Sequence, residues 1–210
     1  LGHAGFIAIG SYSGAILGKM MNGLPGLFAG MAVGVVISVI VAFLVGLPTL
    51  RLKGDYLAIA TLGVAEIIRV AVTNMKITNG AAGISGVPLT NTWTITYIAL
   101  VLTTILILNY TFSSAGRATY AVLQDEIAAE SMGVQVTKYK ILAFVLGAAT
   151  ASIGGTLSAT TLGAVTPSDF TFMKSIEVLI IVVFGGIGSF TGSFVAAVLL
   201  GIINLVLQPF

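Results

Sequence analysis

The sequence predicts an all-α, polytopic bundle of transmembrane helices that holds one helical segment outside the membrane. Of its 210 residues, 57% are hydrophobic and only 8% are charged, against about 25% charged in ordinary soluble domains. The mean hydropathy is +1.11. Three runs, 26–47, 92–112 and 141–165, contain no charged residue and match the roughly 20 residues that a helix needs to cross a bilayer. The one long polar stretch, 113–140, separates the last two of these runs.

Two further runs have nearly the same character. Run 1–21 is apolar apart from His3 and Lys19, and run 55–73 is apolar apart from Glu66 and Arg69. Both are predicted to span the membrane. Because the first run starts without a basic leader or a cleavage site, we expect the chain to begin inside a membrane helix of a longer, N-terminally truncated protein. The whole of 1–210 is then a single transmembrane domain.

The final stretch, 175–207, is too long for one span and is interrupted by glycines. We expect 175–184 to form a half helix or re-entrant segment and 193–207 to form the last span. Irregular backbone is tolerated inside a membrane only where protein or water covers it, so the break marks a pathway or hinge, or else a plain interhelical turn. The candidate pathway or hinge residues are Gly185, Gly186, Gly188 and Gly192.

Composition excludes several kinds of chemistry. The chain has no cysteine and a single histidine, which excludes disulfides and multi-histidine metal sites, and it offers no cluster of catalytic residues. Nine basic and seven acidic residues are scattered rather than grouped, so no nucleic-acid surface is predicted. The phosphate-binding pattern of ATPases is absent, since the one Lys-Ser pair, Lys174-Ser175, follows Met173 instead of glycine. We therefore expect no metal, no cofactor and no catalysis in this chain.

Basic residues predict which loops face the cytoplasm. Loops 48–54 and 113–140 fall on one side of the bundle and carry five basic residues, whereas loops 74–91 and 166–174, with the first loop, carry three. The positive-inside rule then places 113–140 in the cytoplasm. The residues compared are Arg51, Lys53, Arg117, Lys138 and Lys140 on one side, and Lys19, Lys76 and Lys174 on the other.

Small residues recur at every fourth position of three predicted spans. Transmembrane helices associate by close backbone packing, which this spacing allows, so we interpret the stripes as helix contacts rather than as a channel. The stripes are Gly10, Gly14 and Gly18; Gly26, Gly30, Gly34, Ser38, Ala42 and Gly46; and Gly147, Ala151, Gly155, Ala159 and Gly163.

The centre of the polar stretch predicts a short surface helix. Asp125 is placed to cap the N-terminus of helix 126–132, and Gly133 suits the left-handed position that ends it. Glu126 complements the helix dipole, while Ala128 and Ala129 leave room for a close neighbour. Such a helix is either a docking site for a soluble partner or a solvated loop.

Residues 125–133, Asp-Glu-Ile-Ala-Ala-Glu-Ser-Met-Gly, resemble the EAA loop of ABC-importer permeases. Segments 1–6, 51–58, 78–84 and 185–189 make the chain similar to the permeases of branched-chain amino-acid importers, of the LivM and LivH kind and closer to LivM. The chain departs from the general EAA pattern at Ile127, which stands where Glu precedes the alanines, and it lacks the later Ile-x-Leu-Pro.

The resemblance implies a multi-pass protein of a bacterial or archaeal plasma membrane. Its implied partners are ABC ATPase subunits, a second permease subunit and an external substrate-binding protein. The implied cytoplasmic coupling loop is 113–140, and the implied ATPase-coupling residues within it are Asp125, Glu126, Ala128, Ala129, Glu130 and Gly133.

Two intramembrane groups need an explanation of their own. Glu66 and Arg69 stand three residues apart on one helix face, where they form either a structural pair near the outer end of the span or a functional site. Glu177 lies where the chain re-enters the membrane and is expected to cap or to reach the surface. Both features are compatible with several kinds of transporter.

The leading interpretation is a permease subunit that moves leucine, isoleucine and valine. Urea and amide permeases of the same type are an alternative. An ion-coupled secondary transporter would need paired acidic groups near the midplane and internal repeats. A membrane scaffold is the third class, and binding to an ATPase partner separates the first class from the other two.

Overall fold

The computed structural model describes residues 2–21, 23–52 and 54–207. Leu1 and Lys53, which enter the first apolar run and the charge comparison, lie outside the described residues. Nine α-helices are present within these ranges: α1 His3–Met20, α2 Leu24–Thr49, α3 Asp55–Asn74, α4 Trp93–Phe112, α5 Ser114–Gln124, α6 Glu126–Ser131, α7 Val136–Leu162, α8 Phe172–Gly185 and α9 Phe190–Leu207. Two 3-10 helices, Gly80–Ala82 and Pro167–Phe170, and two strands, β1 Ile84–Ser85 and β2 Ala164–Val165, complete the described elements.

Four of the described helices, α2, α3, α4 and α7, are long and apolar enough to cross a membrane. The protein is thus a polytopic bundle, as the uncharged runs predict. Helix α4 buries none of its own residues, and this suits a helix that faces lipid over most of its surface.

Helix α1 lies at the centre of the bundle, between α2, α3 and α7. Eleven of its residues are buried, including Ser11, Tyr12 and Ser13. A helix that packs against protein on most sides does not need a lipid-soluble surface, which suits a run that contains these polar residues.

The three central helices touch backbone to backbone. A Cβ atom added at Gly10 would lie 1.9 Å from the carbonyl oxygen of Ser152, and one at Gly155 would lie 2.1 Å from that of Ile7. Hydroxyl groups cross the same contact, since Ser11 Oγ donates to the Gly155 carbonyl and Thr156 Oγ1 donates to the Gly10 carbonyl, both at 2.9 Å. Glycines at these positions are therefore required by space alone.

The predicted stripes are right for α1 and α2 and partly wrong for α7. All six positions of the α2 stripe are buried. In α7 the buried face centres on Ala148, Ser152 and Thr156, beside Gly155 and Ala159. Gly163 lies outside the helix, where it forms the C-cap with a φ of 73°.

Two loops at one end of the bundle are joined by main-chain hydrogen bonds. Strands β1 and β2 pair antiparallel, with Ile84 opposite Val165, and they add a small sheet that an all-α prediction does not contain. Lys19 Nζ donates to the Ser85 carbonyl at 2.8 Å. The loops that follow α3 and α7 therefore lie on the same side, together with Lys19, as the charge comparison groups them.

Candidate functional site

Helix α6 is fixed at its N-terminus by a side-chain cap. The Asp125 carboxylate accepts hydrogen bonds from the backbone N–H groups of Ile127 at 2.9 Å and Ala128 at 3.1 Å. These are two of the donors that the first turn of a helix leaves without a partner in its own backbone. The predicted cap is confirmed.

The C-terminus of α6 is fixed by the backbone itself. Gly133 has a φ of 82°. Its N–H donates to the Glu130 carbonyl at 2.9 Å, and the N–H of Val134 donates to the Ala129 carbonyl at 3.0 Å. This pair of bonds is the Schellman motif, which satisfies the last carbonyl groups of a helix. A helix of only six residues is thereby held at both ends.

An ion pair ties α6 to the start of α7. Lys140 Nζ lies 2.5 Å from Glu126 Oε1, and the two side chains are 20% and 35% exposed. Ala129, only 5% exposed, packs inward on the same side. The expectation that both alanines leave room for an external neighbour is therefore wrong for Ala129, whose Cβ already has neighbours in its own chain, whereas Ala128 is exposed.

The outward face of α6 is apolar as well as acidic. Ile127 is 74% exposed and Met132 is 84% exposed, with Leu123 of α5 at 64%. Glu130 is also exposed. No helical spacing indicates this face from the sequence, because extended Asp125 separates Leu123 of α5 from Ile127 of α6. Three large apolar side chains on a polar segment are the chemistry of a protein contact.

Clefts flank α6 on both sides. One of about 650 Å³ lies beside the start of α6 and is bordered by Leu50, Leu57 and Phe144. The other, of about 810 Å³, lies beside its end and is bordered by Phe43, Leu47 and Leu142. The helix thus stands as a ridge between two depressions, a shape that a complementary groove can enclose.

The glycine-rich break is a tight turn of a helical hairpin. Helix α8 has 14 residues and is about 21 Å long, short of the roughly 30 Å hydrocarbon core. A Cβ at Gly192 would lie 1.8 Å from the Gly185 carbonyl oxygen, so these two glycines allow α8 and α9 to touch. Gly186 and Gly188 have φ values of 90° and 89°, and both lack close neighbours at the Cβ position. They turn the chain rather than pack it.

The Glu66 and Arg69 side chains form an ion pair on α3. Arg69 Nε donates to both carboxylate oxygens of Glu66, at 2.9 and 3.0 Å, and a terminal guanidinium nitrogen contacts Oε1. Glu66 is the twelfth residue of a 20-residue helix, about 16 Å from its start and 12 Å from its end. The expected position near the outer end of the span is therefore wrong for Glu66, because α3 continues to Asn74.

Glu177 pairs with a neighbouring lysine. Lys174 Nζ donates to Glu177 Oε2 at 2.8 Å in the first turns of α8, and both side chains are more than 40% exposed. The residue is thus part of an exposed i, i+3 pair. Within the described ranges, no three His, Cys, Asp or Glu side chains come together in a group that could hold a metal ion.

Known proteins resemble this chain over its full length. The family model described as "Branched-chain amino acid transport system / permease component" matches residues 1–210. The high-affinity branched-chain amino acid transport system permease proteins LivM of Salmonella typhimurium and of Escherichia coli K12 are 36% and 35% identical over 245 aligned residues. The alignments cover 100% of this chain and 57% of each relative. The corresponding protein LivH of Escherichia coli K12 is 34% identical over 110 residues, which are 52% of this chain and 34% of LivH. No solved structure matches the chain significantly.

Proposed function

Since the chain belongs to the family of branched-chain amino acid transport system permease components, we propose that it is a transmembrane subunit of an ATP-driven importer of leucine, isoleucine and valine. The importer lies in the cytoplasmic membrane of the cell. It includes ATPase subunits, a second permease subunit and an external binding protein. The chain spans just over half the length of the LivM relatives, so the activity, substrates and partners of the whole protein belong to this proposal.

The observation that carries the ATPase contact is the geometry of α6. A binding helix loses less conformational freedom on docking when its ends are already fixed, and α6 is capped by Asp125 and closed by Gly133. Its outward apolar residues, Ile127 and Met132, are anchors of the kind that fill pockets at the centre of protein interfaces. Exposed Glu130 adds a charge at the rim.

An ion pair connects the proposed ATPase-binding helix α6 to the membrane helix α7. Glu126 binds Lys140, which lies one turn inside α7, and α7 is the helix that packs most extensively on α1 and α2. A movement imposed on α6 is thereby passed to the helix that crosses the centre of the bundle. In this scheme the chain carries out no hydrolysis. It receives a displacement and changes the side from which the solute pathway is open.

Site-directed crosslinking tests the proposal. A cysteine at Ser131, exposed on α6, should form a crosslink to a purified ATPase subunit in membranes that contain the complete importer. A cysteine at Trp93, 91% exposed at the far end of the preceding span, is the control and should form none. The same membranes should take up tritiated leucine only with ATP. Crosslinking at both sites or at neither, or leucine uptake without ATP, would contradict the proposal.

A further inference from the structure

The ion pair of α3 is turned out of the bundle rather than into it. Arg69 and Glu66 are 27% and 46% exposed, although both belong to a helix that is long and apolar enough to span a membrane. Helix α3 packs on α1 through another face, which buries Thr61, Ala65, Ile68 and Val72. The pair thus lies outside the set of residues that α3 buries.

Lipid is an unsuitable surrounding for these two groups. A charged side chain at the bilayer centre is costly, and such residues face a protein interior or a water-filled cavity. The pair also leaves hydrogen-bonding capacity unused by its own contact, because a guanidinium has five N–H donors and a carboxylate has about four acceptor sites. The face of α3 that carries Glu66 and Arg69 must therefore be covered by water, by solute or by another part of the assembly.

We propose that this face binds the charged head group of a zwitterionic amino acid, with Arg69 taking the α-carboxylate and Glu66 taking the α-ammonium. The planar guanidinium fork matches a carboxylate in a bidentate contact, the same contact that it now makes with Glu66. Binding of the solute replaces the ion pair between Glu66 and Arg69 by two ion pairs, one between Arg69 and the carboxylate and one between Glu66 and the ammonium. The net charge of the site stays at zero. This binding mode rests on the importer function proposed above, and it assigns two residues of this chain to the recognition of the solute.

The surroundings of the pair suit a branched aliphatic side chain. A Cβ added at Gly63, one turn before Glu66, would meet no atom within 4 Å. Ile59 and Ile67 lie one turn to either side of this gap and are 67% and 68% exposed. A solute whose head group contacts the ion pair would therefore place its side chain over glycine and between two isoleucines, in apolar surroundings.

The site distinguishes amino acids from uncharged amides. Urea and amides have no charge to exchange with either member of the pair, so their binding would leave Glu66 and Arg69 joined to each other. A carboxylate without an ammonium group, or the reverse, would satisfy one member and leave the other charged and unpaired. Only a zwitterion satisfies both groups together.

Leucine binding by the membrane-embedded part of the importer tests the site. Tritiated leucine is bound to the assembly of permease and ATPase subunits in nanodiscs, without the external binding protein and without ATP, and is measured by scintillation proximity. The double variant Glu66→Gln with Arg69→Gln removes both charges at once, so no unpaired charge impairs insertion. We expect its leucine affinity to fall about tenfold or more, because two charge-assisted hydrogen-bond sets are lost. Lys174→Gln with Glu177→Gln removes the exposed pair of α8 and should leave leucine affinity unchanged.

A competition assay separates binding from a purely structural role. In the unmodified importer, leucine should displace the label far better than isocaproate, which lacks the ammonium group. In Glu66→Gln that preference should disappear, because only Arg69 remains to select the ligand. Unchanged leucine binding in the double variant, or an unchanged preference in Glu66→Gln, would overturn the site. Failure of the unmodified importer to take up any branched-chain amino acid would instead overturn the proposed function.

Discussion

Ile127→Ala should weaken ATPase binding without affecting the fold of this chain. The substitution removes three carbon groups from a residue that is 74% exposed, so it opens no cavity in the bundle. At about 0.8 kcal/mol for each buried CH₂, and with about three quarters of the residue available to a partner, the loss is about 1.8 kcal/mol. That corresponds to a roughly 20-fold weaker dissociation constant.

The assay is the binding of a purified, fluorescently labelled ATPase subunit to the permease in nanodiscs. Ser131→Ala is the matched control, because Ser131 is also exposed on the same helix and its hydroxyl donates to the Ile127 carbonyl of α6. The control should bind like the unmodified protein, and both variants should keep their yield and thermal stability. A change of less than about twofold for Ile127→Ala would refute the reasoning that this side chain enters a pocket of the partner.

Three other predictions concern glycines and sidedness. Gly133→Val should uncouple ATP hydrolysis from leucine uptake, because a β-branched residue at a φ of 82° costs about 1–3 kcal/mol of strain and loosens the end of α6; normal uptake would contradict this. Gly185→Ala should lower the melting temperature, since its Cβ would lie 2.4 Å from a backbone atom of Ser193, whereas Gly201→Ala in α9 meets nothing within 4 Å and should not. A cysteine at Gln124 should resist an impermeant maleimide in intact cells while one at Ile77, 75% exposed, is labelled, and the opposite result would invert the topology.

Local patterns predict the helices and one contact face well. The uncharged runs locate α2, α4 and α7, and the stripe from Gly26 to Gly46 is buried along its whole length because α2 has a single protein-facing side. The stripe of α7 is right at Gly155 and Ala159, but the buried face also includes Ala148, Ser152 and Thr156, which the stripe leaves out. That helix carries two sets of small residues, and the choice between them depends on where α1 lies, which no local spacing encodes.

The contacts that sequence could not predict are those between distant residues. Glu126 is 14 residues from Lys140, and their approach depends on the reversal of the chain at Gly133. Ile84 and Val165 pair across about 80 residues. The outward face of Ile127 is unpredicted for a different reason, since the EAA-like pattern is defined by the residues on either side of Ile127 and Ile127 itself departs from it.

Helix α7 contacts α1 near its midpoint, so that its two ends lie at similar distances from that contact. It is about 40 Å long. Its backbone is pressed against α1 at Ser152, about 18 Å from Lys140 at one end and about 18 Å from strand β2 at the other. A rigid tilt about that point moves the two ends by equal amounts in opposite directions. In the coupling proposed above, a displacement of Lys140 through Glu126 would move β2, and with it the loop that follows α3, in the opposite direction by a similar distance.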